Sequence, residues 1–162
     1  MWFFMISCYV LTGFTFLALL LTGIQGHAHF NILNANHATF ALLTSIVYLF
    51  TETLIIFYFV GIGVSIRDYV QENKLSPDFL KSSFQVKMKL YPPLLLNMGM
   101  LMGLFISGGA VDTGHLPGWA HGLLYCVTFA HFVYLLTIQH EAFRKSTEIV
   151  LEMSGIKRQP AI

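Results

Sequence analysis

Charge is what this 162-residue chain has least of: 10% of its residues are Asp, Glu, Lys or Arg, against about 25% in a soluble domain. Such a chain cannot coat itself for water. A globule of about 150 residues hides only about 70% of its surface and must cover the rest with polar groups. Here 56% of the side chains are apolar, and Phe alone contributes fifteen. Cysteine is limited to two residues, too few for a disulfide scaffold. The pair, Cys8 and Cys126, falls in opposite halves of two apolar stretches, beyond the reach of a bridge. A net charge of +1 gives no reason to expect nucleic acid. Nucleophile elbows, Walker loops, dinucleotide fingerprints and closely spaced histidine boxes are all missing, as is any internal repeat.

What remains is long apolar runs. A helix needs about 20 such residues to cross about 30 Å of hydrocarbon. Four spans can be drawn, at about 3–24, 38–65, 91–107 and 119–138. The first lacks the basic leader and short core of a secretory signal and is read as retained. The fold expected is an all-α integral membrane protein, four transmembrane helices in an antiparallel bundle forming one domain over 1–153, with a flexible tail over 154–162.

Pro92 and Pro93 are expected to open the third span, where first-turn N–H groups lack partners anyway. Pro117 and Gly118 would open the fourth. Before the third span, Ser76-Pro77-Asp78 reads as the start of a short amphipathic cytoplasmic helix with Leu80, Phe84 and Met88 on one face. A second mixed helix, over 141–153, would stop at Ser154-Gly155.

All nine Lys and Arg lie between spans two and three (Arg67, Lys74, Lys81, Lys87, Lys89) or after span four (Arg144, Lys145, Lys157, Arg158). The positive-inside rule makes those segments and both termini cytoplasmic, with the loops 25–37 and 108–118 facing outward. A bacterial inner membrane is the expected location.

Histidine is plentiful on the face without cations. His27, His29, His37, His115 and His121 fall in or beside the outward loops, with Asp112 the acid on that side. Two arrangements follow. His37 and His121 head spans two and four at similar depth and could clasp haem b between them, with His131 as the next candidate ligand. Gly99, Gly103, Gly118 and Gly122 would leave room for a macrocycle. Alternatively, His27, His29, Asp112 and His115 could form a loop-borne site for copper, zinc or iron. A third reading needs no cofactor, because imidazoles also sit comfortably at headgroup level.

Some polar groups lie deeper. His131 is ten residues beyond His121, about 15 Å, and Glu52 fifteen beyond His37, about 22 Å. Groups at such depth need partners or neutrality. Glu52 and His131 could pair, with Asn97 and Thr128 as further candidates, serving a proton relay, a quinone contact or plain interhelical bonding. Met98, Met100 and Met102 read as adaptable packing rather than a copper(I) site. The functional expectation is a membrane b-type cytochrome-like subunit exchanging electrons with a quinol pool or partner subunit, in a larger assembly or a homo-oligomer. The alternatives are a metal-handling protein and a cofactor-free structural subunit.

Overall fold

The computed structural model describes residues 2–28 and 30–155. They form four helices, α1 (Trp2–Ala28), α2 (His37–Glu72), α3 (Asp78–Asp112) and α4 (Gly118–Met153). Each is long and apolar enough to cross a membrane. This is an integral membrane protein whose solvent, over much of its surface, is lipid.

The buried positions follow a common rule. On α4 they are Thr128, Phe132, Leu135, Gln139, Ala142, Phe143, Ser146 and Ile149, and on α3 Ser83, Val86, Leu90, Leu94, Asn97, Leu101 and Leu104. Steps of three and four residues keep one narrow seam turned toward the neighbouring helices, as in coiled-coil packing. The seam is where the polar residues lie: Thr15, Thr22 and Gln25 on α1, Thr44, Thr51 and Glu52 on α2. The outward faces carry large apolar side chains such as Phe3, Phe57, Ile106 and Trp119. In hydrocarbon this placement is favourable, because each polar side chain turned inward can find a partner.

Pairs of such groups fix how the helices lie. Thr15 meets Thr51 and Thr22 meets Thr44, each at 3.0 Å, so α1 and α2 touch in opposite order along the chain. Tyr48 on α2 bonds Asn97 on α3, and Asn97 bonds the Thr128 carbonyl on α4. Tyr125 on α4 donates to the Leu19 carbonyl on α1 at 3.0 Å. Gly23 makes this approach possible, since a Cβ there would fall on the Tyr125 ring.

Several expected boundaries change. Pro92 and Pro93 lie inside α3 rather than at its start. The expected amphipathic helix and third span are therefore one continuous helix. Proline's fixed φ is helical, and its cost is the lost N–H bond and the crowded carbonyl four residues earlier. No other breaker lies between Asp78 and Tyr91 to end the helix first. Along this stretch Phe84 and Met88 are 60% and 57% exposed, while Ser83, Val86 and Leu90 turn inward.

The residues over 141–153 likewise continue α4, which stops at Ser154 with Gly155 at φ 73, the left-handed backbone of a glycine cap. α3 starts at Asp78, one residue later than expected, with Pro77 rather than Ser76 at the cap position and no side-chain cap bond from it. The Ser76 hydroxyl, one residue earlier, still accepts from the Asp78 N–H at 3.3 Å. At 36 residues, α2 and α4 are each about 54 Å long, so they project well beyond about 30 Å of hydrocarbon. From residue 156 onward the expected tail lies outside the described residues.

Candidate functional site

The α1–α2 connection places the first histidine. Leu33 and Asn34 take left-handed backbone (φ 50 and 64) in a tight turn closed by the Ile32–Ala35 bridge. Gln25, fully buried at the end of α1, holds that turn by donating both amide hydrogens, to the Phe30 and Ala35 carbonyls at 2.9 Å each. Asn36 then caps α2, its Oδ1 accepting from the Thr39 N–H at 2.9 Å. His37 is thus the first residue of α2. Its ring lies against Gly26 of α1, where a Cβ would stand 2.9 Å from Cε1. The His37 Nδ1 is buried and bonds to nothing among the described residues.

The second histidine, His121, stands one turn into α4 beside the end of α3. Ser107 Oγ lies 2.8 Å from its Nδ1 and 2.7 Å from the Leu104 carbonyl. A hydroxyl has one hydrogen, and the carbonyl can only accept. Ser107 therefore donates to Leu104 and accepts from His121 Nδ1–H, which leaves the His121 Nε2 lone pair available in the neutral ring. Gly108 makes room here, a Cβ at that position coming within 3.4 Å of the ring.

The two rings stand 6.4 Å apart between centroids, at 81° to one another. Asp112 is near enough to bear electrostatically on His121. The glycines singled out in the sequence play no part in this: Gly99, Gly103, Gly118 and Gly122 are exposed, and a Cβ at any of them would meet nothing within 4 Å. Gly26 and Gly108 do the fitting, and they fit the imidazoles themselves.

The loop histidines do not gather. His27 is exposed at the end of α1, and His115 is exposed with its Nδ1 3.0 Å from the Thr113 hydroxyl. His29 lies outside the described residues. Among the described residues no three His, Cys, Asp or Glu side chains come together as a metal-holding group.

Deeper, Asn97 organises a second cluster. Its Oδ1 accepts from the Tyr48 hydroxyl, and its Nδ2 donates to the Thr128 carbonyl at 3.1 Å and meets His131 Nδ1 at 2.9 Å. With the amide donating, His131 Nδ1 must accept, so a neutral His131 carries its hydrogen on Nε2. Neither nitrogen is then free for a metal, which takes His131 out of the ligand set as arranged.

Glu52 bonds Gln139, not His131, its Oε2 accepting from Gln139 Nε2 at 2.7 Å. The depths explain the difference. Glu52 is fifteen residues beyond His37 while His131 is ten beyond His121, a mismatch of about 7 Å along helices whose heads are level. Gln139 is absent from the partners expected of Glu52, although counting residues along α4 puts it within one helical turn of that depth, and it lies on the buried seam of α4. Met98 packs partly against the core, while Met102, one turn further along α3, is 53% exposed.

Compared with protein-family models, with curated proteins and with solved structures, the chain matches none.

Proposed function

We propose that His37 and His121 are the axial ligands of a haem b near one end of an antiparallel four-helix bundle, and that the protein is a one-electron carrier. The observation that carries this reading is the 6.4 Å spacing of the two rings. Two imidazoles sharing one metal atom, with metal–nitrogen bonds of about 2 Å, have their centroids about 6 Å apart. The donor count favours haem over a bare ion. Zinc or copper asks for three or four protein donors, whereas haem brings its own four nitrogens and needs only two more.

The free Nε2 of His121 and the unpartnered Nδ1 of His37 suit that role. Ser107 fixes the His121 tautomer and ring orientation, as the outer partners of ligating histidines commonly do. Haem would supply a one-electron change at its iron, and a quinol pool or a neighbouring subunit are the partners proposed. The groove lined by Leu42, Leu101 and Phe105 and the groove lined by Val86, Tyr134 and Ala142 do not include His37 or His121.

Antiparallel packing is supported by the opposed order of the Thr15–Thr51 and Thr22–Thr44 pairs. Orientation rests on the Lys and Arg residues, whose positions favour the histidine end outside. Cysteines introduced at 27 and 81 are expected to react with impermeant reagents from opposite sides of sealed vesicles. Reaction from one side only would remove the topology and the site with it.

A visible spectrum of the membrane fraction and of purified protein, with metal analysis on the same sample, tests the cofactor. A Soret band supports haem. A colourless protein with stoichiometric metal would replace it with an ion site, and a colourless, metal-free one would leave a structural subunit.

A further inference from the structure

We infer that Glu52 and Gln139 form a proton-binding site inside the membrane, in which the Glu52 carboxyl holds a proton and shares it with the Gln139 amide oxygen. Both side chains are buried, Glu52 completely. One hydrogen bond joins them, Gln139 Nε2 to Glu52 Oε2 at 2.7 Å. The other oxygen of each side chain, Glu52 Oε1 and Gln139 Oε1, is also buried and has no donor among the described residues. Two adjacent side chains thus leave two acceptors and no hydrogen to serve them. A single proton on Glu52 Oε1 supplies it. The pair then becomes an acid–amide ring with two hydrogen bonds, and no buried oxygen of either residue is left over.

The competing occupants fit less well. A hard cation needs six or more oxygens, and this pair offers two. A carboxylate with neutral partners would keep a full charge in hydrocarbon, at about 3 kcal/mol or more. Among the described residues no Lys or Arg forms an ion pair with Glu52. The titratable groups close enough to feel a charge on Glu52 are Cys8 of α1 and Tyr48 of its own helix. From α4 it meets the uncharged Gln139, and no titratable group of α3 bears on it.

The site lies toward the end of the molecule that carries the cations. Cys8 lies beside the Tyr58 hydroxyl, which has no partner among the described residues, and next to them Tyr9 Oη meets His140 Nδ1 at 3.0 Å. Every other carboxyl among the described side chains is exposed or paired with Arg144. Glu52 is therefore the one carboxyl expected to be protonated at pH 7. This inference is independent of the histidine pair, and its test does not involve haem.

Infrared spectroscopy of the full-length protein in lipid bilayers at pH 7 reads it directly. The expected result is a carbonyl band of a protonated carboxylic acid that shifts in D2O and is missing in Glu52→Gln. That variant should keep the wild-type thermal midpoint, because an amide–amide pair makes the same two hydrogen bonds. Gln139→Leu should keep the band but move it, since the acid loses its partner. No Glu52-dependent acid band, an acid band unmoved in Gln139→Leu, or a Glu52→Gln protein that cannot fold would each overturn the proposal.

Discussion

Alanine at either His37 or His121 is expected to abolish the Soret band of the membrane-bound protein, while His131→Ala leaves it in place. The asymmetry comes from the hydrogen bonding of the three rings. His121 offers a free Nε2 because Ser107 takes its Nδ1 hydrogen. His37 keeps an unpartnered buried nitrogen and stands 6.4 Å from His121. His131 has its Nδ1 occupied by Asn97.

Ser107→Ala should give a weaker version of the same defect. Removing such an outer partner of a ligating histidine lowers metal affinity about 10- to 100-fold. Haem titration of apoprotein in detergent checks both effects. A band that survives His37→Ala together with His121→Ala would end the assignment.

Asn97→Leu is expected to destabilise the protein by about 2–4 kcal/mol without changing which residues meet the lipid. Asn97 is fully buried and serves three partners at once, Tyr48, the Thr128 carbonyl and His131. Leucine fills a similar volume but leaves the buried Tyr48 hydroxyl without its acceptor, the half-buried His131 Nδ1 without its donor, and the Thr128 carbonyl with only its helix bond. A group left unpaired in a dry interior costs about 1–3 kcal/mol. Membrane hydrogen bonds average nearer 0.6 kcal/mol, because the unfolded segment finds other partners in the bilayer, and this keeps the sum from reaching the upper limit. Equilibrium unfolding in mixed detergent measures the difference. Thr15→Val provides the comparison, since it removes one bond to Thr51 and should cost well under half as much.

The spans are legible in the sequence because lipid imposes a length and an apolarity that few sequences meet by accident. The inward seam is harder to see. In helices apolar on every side, hydrophobic periodicity carries little signal, so the polar residues mark the interior. Thr128, Gln139 and Ser146 on α4, or Ser83 and Asn97 on α3, already stand at spacings that share one helix face. The level placement of His37 and His121 follows from helix direction alone. Their fit against Gly26 and Gly108 does not, because it depends on which way each helix is rotated about its axis. The same rotation turns Gly99, Gly103, Gly118 and Gly122 outward.

The amino-acid order by itself determined that this chain lives in a bilayer, that its helices start near His37 and Gly118, and that its cations gather away from the histidine loops. Those properties depend on local composition and on residue counts along one helix. Only the tertiary structure decided that Glu52 belongs with Gln139, that His131 is held by Asn97, and that α3 runs through Pro92 and Pro93 unbroken. The first two depend on the register and rotation of one helix against another, set by packing and shared hydrogen bonds between residues remote in sequence. The third depends on a buried seam that runs from Ser83, Val86 and Leu90 to Leu94 and Asn97 on both sides of the prolines.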